Sequence, residues 1–364
     1  MKANITRHVM EEDQALWILR GSLASPREEW RLRAGRAHYS LRRGVLQQRA
    51  KSRSIDPAIR VQCEVLRDAA KQKLARFAPA HAQVRVQALV RHRRVGDQCN
   101  PFGGFWGWVQ VPGQPKSYFG GNQQVLKFRR GPWESWPVPD RAELNVNTNL
   151  PLIFSPYCGT LLHEALGHAM EADYLKTSPF EAGFGKRWSC EELTVMDRPD
   201  LADLPGSMAT DDCGQPASAT TMLHRGFLVG DLGWGRGVLR RGTYRDLPMV
   251  RATNFVIKAG SADPSHWISN LPNSYYVSWI RTGAWQMGTS SISVVTGPIY
   301  ELRKGQVVAA APLSRLTFDM TLMLKRLTAV GSDFEIDPLV HWCMKRNQAV
   351  PISMASPSLL LEGL

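Results

Sequence analysis

The sequence predicts an α+β chain, with helices first, strands after, and one isolated helix set among the strands. Three observations predict it. Apolar residues between Asp56 and Phe77 recur every three or four positions. From Gln83 the period drops to two. Between Leu152 and Asp173 an apolar strand, a Pro/Gly turn and an amphipathic helix follow one another. Residues 1–80 are expected as a basic helical region, 81–150 as a β-rich part, and 151–364 as a β-rich domain that carries the isolated helix.

In chain order, Ser25-Pro26-Arg27-Glu28 fits a capping box with proline at the first helical position, so a helix is expected toward Arg53. Asp56-Pro57 starts a second helix. Its Ile59, Cys63, Leu66, Ala70, Leu74 and Phe77 share one face, which makes Cys63 a core residue, and Ala78-Pro79 ends it. Val84, Val86, Ala88 and Val90 then alternate with Arg85, Gln87, Leu89 and Arg91 as in a strand with one buried face. Pro101 to Trp136 is rich in Gly and Trp and fits strands and turns; its tryptophans can form a binding platform or pack in the core, and core packing is the expected use. The Pro-rich run Trp136–Asp140 is the expected linker. Further on, hairpins are expected at Arg225-Gly226 and Lys304-Gly305, and a helix between Leu316 and Leu327.

Composition excludes several classes. In 364 residues no apolar run approaches the ~18 that a membrane span needs. Met1-Lys2-Ala3-Asn4 leads into Glu11, Glu12 and Asp13 without an apolar stretch, so no secretory signal is expected. Six irregularly spaced cysteines do not form a disulfide framework, and a reducing cytoplasm is the expected compartment. The net charge of +13 is uneven: residues 1–100 hold 21 Lys/Arg against 9 Asp/Glu, and the other 264 residues are near balance. Such a basic region can attract nucleic acid or an acidic surface, or simply be a solvated helical face. Sparse aromatic residues favour the solvated face over nucleic acid.

The chemistry sits in Leu161-Leu162-His163-Glu164-Ala165-Leu166-Gly167-His168-Ala169-Met170-Glu171-Ala172-Asp173. In His-Glu-x-x-His zinc hydrolases two histidines at i and i+4 share a helical face and the glutamate activates water. Here the spacing is one residue longer. At ~100° per residue, i and i+5 lie about 140° apart, against about 40° for i and i+4. Chelation by both rings therefore needs a π-bulge or break, which Gly167 would tolerate. Without one, the histidines are unrelated, one facing the core and one solvent. A third ligand could be Glu171, Asp173, Cys158 or Cys190 nearby, or Cys213, His224, His341 or Cys343 far away. Spacing does not choose among them.

Residues 161–173 resemble the signature of the TldD/PmbA family, specifically its metal-bearing TldD-type members. Ser207–Pro216 and Pro248–Asn254 resemble two further segments of that family. Near the end, Cys343 is followed by Lys345, Gln348, Pro351 and Pro357 at the family's offsets, although Met344 and Asn347 stand where glycine is usual and Trp342 precedes the cysteine. The resemblance covers roughly residues 80–364. Residues 1–60 do not resemble the family's longer amino-terminal region, which makes 81–150 part of a shortened N-terminal domain.

The resemblance implies that Cys343 joins His163 and His168 on Zn²⁺, with Glu164 as general base. It implies a zinc metallopeptidase that cleaves amide bonds of flexible peptides held in a narrow channel. It also implies a dimer with itself or with a related, often metal-free subunit; the intact motif puts this chain on the metal-bearing side. Glu171 and Asp173 are candidates for hydrogen bonds to the ligating imidazoles, whereas His224 and His341 are expected on loops or the surface, with a supporting place for His341, two positions before Cys343, as the alternative. Relatives in natural-product biosynthesis imply a second reading, a tailoring hydrolase that removes a protecting or carrier group. A third reading is a basic binding module with a vestigial metal site.

Overall fold

The computed structural model of the chain describes residues 8–42, 45–114, 116–137, 139–140, 144–233 and 238–363. Met1–Asn4 and, within the expected linker, Val138 lie outside them. The chain is a mixed, sheet-rich structure with few helices.

The expected helical region 1–80 requires correction. Three long strands, β1 (His8–Ser22), β2 (Ser25–Arg42) and β3 (Val45–Ser52), precede a single long helix, α1 (Pro57–Phe77). Ser25-Pro26 opens a strand, because Ser22 pairs with Ser25 across a two-residue turn. The Arg and Glu residues of this stretch favour a helix locally. In the sheet they pair across strands, Arg33 with Glu12 at 2.9 Å and Arg36 with Glu11. The excess of basic residues is thus divided between this sheet and the outer face of α1, where Arg60 and Arg76 are exposed.

β4 (Gln83–Val95), β5 (Gln98–Gln110), β6 (Ser117–Gly121) and β7 (Leu126–Phe128) complete one antiparallel sheet ordered β3-β2-β1-β4-β5-β6-β7. As expected, α1 is capped by Asp56 and buries Ile59, Cys63, Leu66, Ala70 and Leu74. These pack on Trp17, Val84, Val86 and Val90. Each large aliphatic side chain buried there stabilises the layer by about 1.5–3 kcal/mol. The opposite sheet face meets the rest of the chain: Trp106 and Phe102 touch Leu339 and Val340, and Arg93 reaches Asp212 at 2.8 Å. Trp136 of the expected linker is docked edge-on against Tyr276 and Tyr300.

The remainder is built on two mixed sheets. In one, Leu152–Phe154 lies between a parallel Asn273–Val277 and an antiparallel Leu359–Leu361. In the other, Asn254–Ile257 runs parallel to Gln348–Ser356. The hairpins expected at Arg225-Gly226 and Lys304-Gly305 are present, with positive φ at both positions of each turn. The helix expected from Leu316 begins later, at Met320, after the strand Arg315–Asp319. Leu316 and Phe318 alternate into the core, and Asp319 caps the helix by accepting from Thr321 and Leu322.

Candidate metal centre

The segment after Leu152–Phe154 turns inward at Ser155-Pro156, where the Ser155 hydroxyl accepts from the Tyr157 amide. It then runs buried, with Leu161, Leu162, Ala165 and Leu166 in one core with Phe154 and Leu359 of one sheet and Val195, Met222 and Phe255 of the other. Thr160–Leu162 is α-helical, His163–Gly167 is a π-turn, and His168–Met170 closes as 3₁₀. The His168 amide donates to the His163 carbonyl five residues back. This is the distortion that the longer spacing demands, and it brings the two imidazole centroids to 4.7 Å. Gly167 is fixed by space. A Cβ there would lie 2.7 Å from His163 Nδ1.

Cys343 arrives from the other side. It lies in the strand His341–Lys345, whose partner Gln348–Ser356 follows a two-residue turn at Arg346-Asn347, both with positive φ. The tight turn sets the register that pairs Cys343 with Val350. Arg251 donates to the Cys343 carbonyl and, at 3.2 Å, to that of Gln348, locking the Cys343 strand from behind. As a result one ring nitrogen each of His163 and His168 and the Cys343 sulfur all lie within 4.8 Å of one another. Cys343 Sγ and His168 Nε2 are 3.5 Å apart. Both ring nitrogens of His163 are buried, and among the described residues neither has a partner at hydrogen-bonding geometry. An imidazole desolvated on both nitrogens is costly, so this donor set fits a metal ion.

The surroundings are charged and closed. Burial works against a thiolate at Cys343, but His168, Arg251 and His163 outweigh it and hold the thiol well below its ordinary range. Glu171 is fully buried, which alone would raise its carboxyl; His168 and Lys345 instead hold it at about 2. Its Oε2 lies 3.4 Å from His168 Nδ1 and 2.6 Å from Lys345 Nζ. Lys345 also donates to Asp173 at 2.7 Å and to the Val250 carbonyl at 3.0 Å. Glu171 thus meets a histidine as expected. Asp173 does not; it neutralises Lys345.

Glu164, beside His163, is buried against the strand Ile280–Trp285, and burial raises its carboxyl above the ordinary range. Gly283 makes the room, because a Cβ there would lie 2.4 Å from Glu164 Cγ. The acid faces a cleft of about 840 Å³ shared by His163, His168, Cys343, Trp108, Tyr118 and Trp285.

The other candidates lie elsewhere. Cys158 is buried and donates to the Val277 carbonyl, its thiol pushed up to about 12 by burial. Cys213 is buried beside Arg241, Cys190 is half-buried, and His224 is exposed at a strand end. His341 lies in a strand and pairs with Asp337 at 2.8 Å, so it supports no ligand directly. Two functional neighbours carried no recognisable role in the sequence. Gly283 gave no local signal, and Arg251 stood out only as part of Pro248–Asn254.

Residues 147–364 match the family model of the PmbA/TldA metallopeptidase C-terminal domain. The chain is similar to the metalloprotease TldD homolog of Buchnera aphidicola subsp. Acyrthosiphon pisum, 27% identical over 224 residues, which are 58% of this chain and 46% of the relative. It is also similar to a metalloprotease of Methanothermobacter thermautotrophicus, 28% identical over 216 residues, 56% of this chain and 47% of that one. The chain spans about half the length of these curated relatives. Its fold is that of TldE from Thermococcus kodakarensis, with a TM-score of 0.70 at 15% identity over 98% of this chain and 96% of that chain. The matched stretch contains His163, Glu164, His168 and Cys343 and makes up more than half of the sequence, so the chain belongs to the TldD/PmbA metallopeptidase family.

Proposed function

We propose that the protein is a zinc-dependent hydrolase of peptide bonds, with His163, His168 and Cys343 as the zinc ligands. The observation that carries this reading is the buried imidazole of His163, without a hydrogen-bonding partner among the described residues, within 4.8 Å of a second imidazole nitrogen and a buried cysteine sulfur. Bond lengths of about 2.3 Å to sulfur and about 2.0 Å to nitrogen at a tetrahedral angle separate the donors by about 3.5 Å. The 3.5 Å between Cys343 and His168 agrees with that.

Zinc in such a site supplies Lewis acidity, polarising an amide carbonyl and acidifying water. The chain's own residues do the rest. Glu164 accepts a proton from the attacking water on its carboxylate and hands it to the leaving amine nitrogen, for which a buried carboxyl with raised affinity for protons is suited. Glu171 and Lys345 hold the His168 ring from behind. Among the described residues the strands Ile280–Trp285 and His341–Lys345 each pair on one side only, and both line the cleft. An extended peptide can add to such an edge through its backbone, which supports a flexible peptide as substrate.

The test is zinc content and turnover of unfolded, internally quenched peptides. The wild type should bind about one zinc and cleave. Glu164→Gln should keep the zinc and lose cleavage by at least about 100-fold, and Cys343→Ser should lose the zinc. Cleavage retained by Glu164→Gln would overturn the assigned base.

A further inference from the structure

The cleft beyond the metal centre is charged in one direction. Of its lining residues Glu164 alone is acidic, while Arg85, Lys116, Arg129, Arg281, Lys345 and Arg346 are basic. Two of these cations are already neutralised, Arg129 by Asp337 and Lys345 by Glu171 and Asp173. The other four are exposed and make no ion pair among the described residues. A concave wall carrying unpaired charge of one sign focuses its field on whatever enters.

The four cations have an order. Strand Ile280–Trp285 lies along the cleft, with Gly283 against Glu164 near its middle. At its start, Trp279 packs on Tyr118, and Tyr118 feels the charge of Arg281. Tyr118 is the cross-strand neighbour of Trp108, and Trp108 of Arg85. Lys116 sits over the Trp108 ring at 4.3 Å. At the other end, Trp285 packs on Tyr174, and the Arg346 guanidinium lies 5.8 Å from that ring. Arg281 stands at a β-bulge, a device that re-aims a side chain beside a site. Unpaired cations on aromatic platforms therefore flank Glu164 on both sides.

We propose that this cleft selects acidic peptides, with Asp or Glu side chains on both sides of the bond presented to Glu164. The identity of the bond rests on the peptidase reading above; the charge preference rests on the cleft alone. Arg281, with Arg85 and Lys116, receives carboxylates on one side and Arg346 those on the other. The tryptophan and tyrosine faces pack the intervening backbone.

The test uses three fluorescein-labelled peptides of about ten Gly/Ser residues, carrying four Asp, four Lys or no charge, and an oligothymidylate of matched charge. Anisotropy on zinc-loaded Glu164→Gln reads binding without turnover. The Asp peptide is expected to bind at least about tenfold more tightly than the Lys peptide in low salt. That ratio should narrow as salt rises from about 50 to about 500 mM, a measurement that needs no further variant. It should fall to near parity with the added pair Arg281→Glu and Arg346→Glu, and persist with Lys258→Glu, which lies outside the cleft. Equal binding of the two charged peptides, a ratio indifferent to the paired reversal, or tighter binding of the oligothymidylate would each overturn the proposal. Hydrolysis of the same peptides by the wild type is scored separately. A binding preference with no cleavage would remove the peptidase reading and leave the cleft assignment standing; cleavage with equal binding would do the reverse.

Discussion

The amide of His168 donates to the carbonyl of His163, and this single π-turn lets two histidines five residues apart face one point. Its tightness depends on Gly167, over which the His163 ring lies. Gly167→Ala should therefore displace that ring, lower zinc affinity by at least about tenfold, and leave the far-ultraviolet circular dichroism unchanged. Competition with a chromophoric chelator measures the affinity; an unchanged value would mean that the ring is not held as described.

Gly283 plays the corresponding part for Glu164. Gly283→Ala should push the carboxylate from its place and reduce kcat by at least about tenfold while zinc stays bound. Parallel loss of zinc would point to a wider disturbance.

Lys345 is a buried cation between two carboxylates. Lys345→Met leaves Glu171 uncompensated beside His168 and should destabilise the protein by about 3 kcal/mol in urea unfolding. Zinc affinity should also fall, by about 10–100-fold, because the orientation of a ligating ring depends on its partner.

Asp337 joins distant parts of the chain by pairing with Arg129 at 2.9 Å and with His341 at 2.8 Å. Burial would raise its carboxyl, but Arg129 and His341 hold it well below the usual range. A depressed acid of this kind stabilises the fold above the unfolded pKa of about 4, and that contribution is lost as pH falls toward the folded value. Asp337→Asn should cost about 3 kcal/mol near neutrality, and the gap from wild type should shrink below about pH 4. A gap that is constant with pH would show that the lost contribution is not the carboxylate's charge.

Asn347 occupies the second position of the turn before Gln348, with a φ of 63°. Glycine adopts this conformation without steric cost. Asn347→Gly should raise the urea midpoint by an amount equivalent to about 0.5 kcal/mol, with zinc content unchanged. A lower midpoint would mean that the Asn347 side chain stabilises the turn.

Legibility followed the range of the interactions. α1 and β4 are legible because their apolar periods of 3.6 and 2 are local, whereas the extra residue ahead of His168 leaves open a distorted turn that joins the histidines or a regular helix that separates them, and the structure has the π-turn. Strands β1 and β2 are not legible, since charged residues that pair across them resemble a solvated helical face along the chain. Cys343 is marked only by the resemblance of its flanking spacing to the family's, because its approach to His168 spans 175 residues. Gly283 against Glu164 and Arg251 against Cys343 are contacts between segments far apart, and no single segment records them.

Anomalous diffraction at the zinc edge from metal-loaded crystals tests the central claim most directly. One strong peak should lie about 2.0–2.1 Å from a nitrogen of His163 and of His168 and about 2.3 Å from Cys343 Sγ. A fully loaded crystal whose zinc lies elsewhere, or is held without the Cys343 sulfur, would contradict it.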